Sequence, residues 1–91
     1  MELTGIIKSI EPIQTFKSNF EKREFIFVTE ERFPQTLKIE LHSIHIDIID
    51  PYKPGDRVLV GIKIFGKEWK AKDGSFKYYN TIVASKIIQY E

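Results

Sequence analysis

The 91-residue sequence contains no cysteine. Disulfides, thiolate metal sites and cysteine nucleophiles are therefore excluded. No apolar run is longer than Phe25-Ile26-Phe27-Val28, far short of the about 18 residues a membrane-spanning helix requires. The opening Met1-Glu2-Leu3-Thr4 has neither the basic segment nor the apolar core of a secretory signal, so no membrane partner and a cytoplasmic location are expected. A strong excess of one charge is also missing. Fourteen Lys and Arg face 13 Asp and Glu, for a net +1, below the basicity that marks many nucleic-acid-binding domains. The sequence has no glycine-rich phosphate loop, nucleophile elbow or recognisable catalytic carboxylate pair. His42 and His45 lie three apart near Asp47 and Asp50, but no further ligand stands at a motif spacing. Neither an enzyme nor a metal or cofactor site is expected.

What is present is a strand pattern. Hydrophobic residues make up 42% of the chain, enough for a globular core and too many for a disordered segment. The length fits one domain over residues 1–91. The dominant period is two, the spacing of strands that bury one face. Five stretches show it. The first runs from Glu2 to about Ile10 and continues toward Phe16 after a break at Pro12, with Gly5 suggesting a coil or bulge. The second is Lys22 to Thr29, with Phe25 and Phe27 on one face. The third is Gln35 to Leu41, with Leu37, Ile39 and Leu41 inward. The fourth is Arg57 to about Phe65, with Val58, Val60, Ile62 and Ile64 inward and Phe65 outward. The fifth is Phe76 to about Ile88. Asp73-Gly74 predicts a two-residue type I′ hairpin between the last two. Residues 43–49 read two ways. Ser43 caps a short helix in which Ile44 and Ile48 stack, or Ile44, Ile46 and Ile48 continue a strand.

Five strands with at most one short helix predict an all-β fold. The expected form is a five-stranded OB-fold barrel with a short helix or turn between strands three and four, since closure removes exposed edges. An SH3-like barrel, whose strands are shorter, is the second candidate.

The dull net charge hides a local one. Residues 60–86 hold six lysines against Glu68 and Asp73, a local +4, while residues 1–59 carry a local −2 and Glu91 the last −1. Twelve aromatic residues, 13% of the chain, are more than a small barrel can bury. Many fall in the basic segment. Phe65 and Trp69 stand among Lys63, Lys67, Lys70 and Lys72, and Phe76, Tyr78 and Tyr79 surround Lys77. Phe20, Lys22 and Lys38 complete the candidate surface from the first loop and neighbouring strands. Bases stack on exposed rings while lysines neutralise phosphates, a combination with little sequence preference. The same rings would otherwise serve as cross-strand packing pairs, Trp69 on Tyr78 or Phe76.

Four phrases carry a resemblance. They are Met1-Glu2-Leu3-Thr4-Gly5-Ile6-Ile7, residues 22–30, Pro54-Gly55-Asp56-Arg57-Val58-Leu59-Val60, and Tyr78-Tyr79-Asn80-Thr81-Ile82-Val83-Ala84. Together they resemble small bacterial and phage single-stranded-DNA-binding-type OB-fold proteins, most of all a compact, largely uncharacterised family found in Bacteroidetes. The resemblance spans nearly the whole chain. It implies a sequence-tolerant binder of single-stranded DNA, with RNA as the other candidate ligand. There are departures. Similar sequences tend to have Trp-Gly where this one has His42-Ser43, and a Trp at Tyr78. The sequence also reaches Glu91 without the acidic tail by which longer single-strand binders recruit partners, so the expected part in DNA replication and repair is that of an auxiliary or phage-encoded binder rather than the main cellular one. The alternative function is an OB-fold module for protein interaction or oligomerisation. Outward-facing Ile26, Val28, Leu59 and Phe65 predict self-association, with a homodimer favoured.

Overall fold

The computed structural model describes residues 1–90; Glu91, one of the acids in the charge count, lies outside them. Six strands form: β1 (Glu2–Ile10), β2 (Gln14–Thr15), β3 (Glu21–Thr29), β4 (Thr36–His42), β5 (Arg57–Lys70) and β6 (Phe76–Gln89), with a 3₁₀ turn at Ser43–His45. Five of them close a ring. β1 pairs antiparallel with β3 and β5, β3 with β4, and β5 with β6. β4 and β6 complete it in parallel, through Ile39 opposite Ile82 and Glu40 opposite Val83. β2 adds a short edge to β3. This is the five-stranded OB barrel expected from the sequence. Among the described residues, no helix is long and apolar enough to cross a membrane.

The inward positions of the alternation fill the barrel. Ile7, Phe25, Phe27, Ile39, Leu41, Val58 and Val60 are fully buried, each stabilising the fold by about 1.5–3 kcal/mol relative to exposure. The rings of Phe25 and Phe27 meet edge-on with 6.4 Å between centres. The bulge suggested at Gly5 falls instead at Lys8, between the register pairs Ile7–Phe27 and Ser9–Ile26. Gly5 itself stays in regular pairing with Thr29 and Val58. Close approach explains the glycine: a Cβ there would lie 2.2 Å from the Val28 carbonyl oxygen and 2.7 Å from Phe27 Cζ.

The short helix or turn expected between the third and fourth strands is present as the 3₁₀ turn Ser43–His45 and the turns that follow it, though in neither of the detailed forms read for residues 43–49. Ser43 has φ +51°, and the position before the turn is held by His42 without a side-chain cap. Ile44 is exposed, and burial passes to Ile46 and Ile49. Their spacing of three follows from successive i→i+3 hydrogen bonds, Ile46 N–H to Ser43 O and Tyr52 N–H to Ile49 O among them.

The β5–β6 hairpin is longer than the sequence suggested. Pairing runs from Val58–Gln89 to Lys70–Phe76, past the end expected at Phe65, with Ser85 as an extra residue opposite Gly61 and Ile62. Ile62 and Ala84 form the last buried pair. Past Val83 and Ile82, which still pair with β4, the hairpin leaves the barrel as an arm, about 20 Å long at a strand rise of 3.3 Å per residue. The radius of gyration is accordingly 14.7 Å, against about 12 Å for a compact chain of this length. Ile64 has the inward parity expected of it but is 54% exposed, at the rim where β5 and β6 run on past the core.

The arm's tip is not a type I′ turn. Ala71 N–H donates to Ser75 O at 2.8 Å and Gly74 N–H to Ala71 O at 3.0 Å. In this tip only Gly74, at φ +90°, is left-handed, whereas type I′ needs Asp73 there too. Asp73 is used otherwise: its carboxylate accepts from Ser75 N–H at 2.9 Å and Ser75 Oγ–H at 2.6 Å. The result is a three-residue loop closed by a left-handed glycine.

The outward apolar residues do not form the single patch expected. Val28 stands beside Ile6, and Leu59 lies between Thr4 and Ile88, both around β1. Ile26 neighbours Lys38, and Phe65 belongs to the arm. Ile26, Val28 and Leu59 are half-buried.

Candidate nucleic-acid interface

Strand alternation sorts the arm's side chains into two faces. One continues the barrel's outer surface, with the cross-strand pairs Lys63–Val83, Phe65–Thr81, Lys67–Tyr79 and Trp69–Lys77. Its three rings are half exposed, at 48% for Phe65, 49% for Trp69 and 53% for Tyr79. Lys63 Nζ lies 5.1 Å from the Phe65 ring centre and Lys77 Nζ 5.7 Å from that of Trp69. No acid interrupts this face of the arm. The other face continues the barrel interior and carries Ile64, Glu68, Lys70, Phe76 and Tyr78. Alternation therefore divides the residues singled out in the sequence. Tyr78 and Lys70 point away from Trp69 and Tyr79, Lys70 lying over Phe76 at 5.9 Å, and Lys72 sits in the tip.

The outer face runs on across β4 and β3. There Lys22 Nζ stands 3.8 Å from Glu24 and 3.9 Å from Glu40, and Lys38 Nζ 3.7 Å from Glu24. These two lysines already face carboxylates, which offset their charge. Phe20 is brought to the same surface by a tight turn in which Asn19 N–H donates to Phe16 O and Phe16 N–H to Phe20 O. Its ring meets His42 edge-on at 5.2 Å and lies 6.0 Å from Phe16.

A groove of about 400 Å³ opens where the arm leaves the barrel. Phe65, Lys67 and Tyr79 line it from the arm, and Glu40 and His42 from β4; Thr81 and Val83 of β6 lie between, following the strand order β5-β6-β4. His42 Nε2 donates to Glu40 Oε1 at 2.8 Å. Sequence reasoning named the arm residues of this groove and missed Glu40, Thr81 and Val83. Their outward parity was readable, but the parallel β4–β6 pairing that gathers them was not. His42, weighed only as a metal ligand, is held by Glu40, and among the described residues no three metal-ligating side chains converge.

Carboxylates with displaced pKa values lie away from the groove. Asp73 is lowered by the hydrogen bonds from Ser75, Glu2 by its hydrogen bond and charge pairing with Lys86, and Asp56 chiefly by the Lys53 backbone N–H. These shifts accompany turns and ion pairs on the surface rather than a reactive centre.

The fold has solved counterparts. The mitochondrial single-stranded DNA-binding protein Rim1 from S. cerevisiae superposes with a TM-score of 0.71 at 18% identity, over 98% of this chain and 91% of that one. The Plasmodium falciparum SSB in complex with ssDNA superposes at 0.70 and 19% identity, over 100% and 93%. At these identities the likeness is one of fold. Comparison with curated proteins gave no match. A family model does match, over residues 2–88, and the chain belongs to that family, the domain of unknown function DUF3127.

Proposed function

We propose that this protein binds single-stranded DNA with little overall sequence preference, by stacking bases on the arm and neutralising phosphates beside them. The observation that carries the reading is the arm's outer face: three half-exposed rings alternate with lysines, and no acid interrupts them. Phe65, Trp69 and Tyr79 are the stacking platforms. Lys63, Lys67 and Lys77, with Lys72 at the tip, take the phosphates. Phe20 stacks at the far rim, beyond His42. Lys22 and Lys38 contribute less, being compensated by Glu24 and Glu40, and Tyr78 and Lys70 lie outside the interface. OB barrels bind oligonucleotides on this side, through the sheet face and the two loops that flank it. Two proteins of the same fold, described as single-stranded DNA-binding proteins, support the reading.

The test is an anisotropy titration of labelled oligo-dT and of a duplex of equal length at low salt. Micromolar or tighter binding to the single strand, and weaker binding to the duplex, is expected; no binding to the single strand overturns the proposal.

A second feature favours association between copies. On the outer surface away from the groove, Val28 adjoins Ile6 across β3 and β1, and Leu59 adjoins Ile88 across β5 and β6, the two apolar pairs lying one row apart. We infer that these two pairs, with Ile88 46% exposed, form the centre of a homodimer seam, since apolar surface of this kind gains by being covered.

A further inference from the structure

Glu40 is the one acid that lines the groove, opposite Lys67 of the arm; its cross-strand neighbour Glu24 faces Lys22 and Lys38 instead. Phosphates are repelled from Glu40, so whatever approaches it must bring hydrogen-bond donors. Glu40 is also held in place. His42 fixes one oxygen at 2.8 Å, Lys22 stands 3.9 Å from the other, and Phe20 packs against His42. Its side chain is only 14% exposed. An ionised carboxylate offers about four acceptor positions, so these two neighbours leave room for more. The groove volume of about 400 Å³ accommodates a nucleobase.

We propose that the groove is a base-selective subsite in which Glu40 accepts the Watson–Crick edge of guanine; this rests on the single-stranded DNA reading above. Unpaired bases expose their Watson–Crick edges to protein side chains. Guanine presents two adjacent donors, N1–H and N2–H₂, which match the two oxygens of a carboxylate. Adenine and cytosine present one exocyclic amino group beside an acceptor. Thymine presents N3–H between two carbonyl oxygens, both repelled by Glu40. Lys67, lining the arm side of the groove, carries three N–H donors, so it can donate to guanine O6 as well as to a phosphate. Phe65 and Tyr79 supply the stacking. The lysines of the arm draw the phosphates outward while the carboxylate draws the base edge inward, so the surface fixes the strand's orientation as well as its affinity.

The experiment uses oligo-dT of about nine nucleotides, within the usual range for one OB fold, and the same strand with a single central dG, dI or dA. A single guanine avoids quadruplex formation. For the wild-type protein, the dG strand is expected to bind on the order of tenfold more tightly than oligo-dT. The dI strand, which keeps N1–H and lacks the amino group, should fall between them. Glu40→Gln should abolish the dG preference while leaving oligo-dT binding equal or tighter. Equal wild-type affinity for the dG and dT strands, or equal affinity for dG and dI, overturns the proposal without using any variant. So does a dG preference that survives Glu40→Gln. If no strand binds, the single-stranded DNA reading fails with it, so the two failures are distinguishable.

Discussion

Trp69 faces Lys77 across the arm's ladder, with the ammonium 5.7 Å from the centre of the indole. Tyr78 and Phe76 lie on the opposite face, so Trp69 cannot be the cross-strand partner of either. Its ring is half open to solvent and its neighbour is a cation, which suits it to a base with its phosphate nearby.

Trp69→Ala is therefore expected to weaken binding to single-stranded DNA by about 1–3 kcal/mol, the range for one base–aromatic stack. Its thermal midpoint should stay close to that of the unsubstituted protein, because the core lies elsewhere. As the only tryptophan, it should also report binding through quenched fluorescence. Tyr79→Ala should resemble Trp69→Ala, whereas Tyr78→Ala should leave affinity unchanged. Stability lost with affinity retained in Trp69→Ala would assign the ring a structural role.

Salt dependence counts the phosphates. With about four contacts, from Lys63, Lys67, Lys72 and Lys77, log K should fall against log salt with a slope of about −3, at roughly −0.7 per contact on a single strand. Lys67→Ala should flatten that slope by one such step. Lys38→Ala should change it less, because Lys38 faces Glu24 at 3.7 Å. A slope near zero in the wild-type protein contradicts the assignment.

Gly5→Ala tests the packing that the sequence disguised as a bulge. The added methyl would meet a backbone carbonyl oxygen at 2.2 Å as well as the Phe27 ring, and a carbonyl within a paired strand cannot move aside freely. A destabilisation of about 1–3 kcal/mol or more is expected from overpacking of this kind, read from denaturant unfolding. A neutral substitution would show that Phe27 repacks at no cost.

The arm's tip should respond to acid. Two hydrogen bonds from Ser75 hold the Asp73 pKa below its usual value. A carboxyl lowered by folding adds stability above its unfolded pKa, and that contribution is lost as pH falls through the folded value. The ordered tip should thus be intact at neutral pH and loosen below about pH 4. Asp73→Ala should produce the same loosening at neutral pH. Amide exchange at Gly74 and Ser75, corrected for intrinsic rates, measures this, and protection that is independent of pH would contradict it.

Self-association is expected at high micromolar concentration, with light scattering giving the mass of a dimer. Leu59→Lys should return it to a monomer while leaving DNA affinity per chain largely intact, because the two apolar pairs around β1 are separate from the arm. A monomer mass for the unsubstituted protein at that concentration would remove the inferred seam.

The strands themselves were legible because inward residues such as Leu37, Ile39 and Leu41 alternate with Thr36, Lys38 and Glu40, a pattern that only a half-buried strand explains. The arrangement of the arm was legible in part. Composition grouped Phe65, Trp69 and Tyr79 with Lys63, Lys67 and Lys77, which do share one face, but it also joined Tyr78 and Lys70 to them, because adjacency in sequence looks like adjacency in space and alternation makes it the reverse. Ile64 shows a different limit. Parity gives the direction in which a side chain points, and how far the barrel extends beneath it depends on strands elsewhere. Residues 43–49 offered isoleucines at spacings of two and of four, while the chain used Ile46 and Ile49, a spacing of three set by successive i→i+3 turns. Glu40 and His42 stayed hidden because their importance comes from β6, some forty positions further along the chain.

The barrel is closed only where Ile39 meets Ile82 and Glu40 meets Val83, and the groove straddles that join, with Glu40 and His42 on one bank and Phe65 and Tyr79 beyond the other. An occupant touching both banks acts as a clasp. By mass action it raises the free energy needed to part β4 from β6, by RT ln(1 + [L]/Kd) if it binds only the closed form. The ring is thus tied most firmly when it is in use. Slowed hydrogen exchange at the amides of this join would then record occupancy from inside the protein.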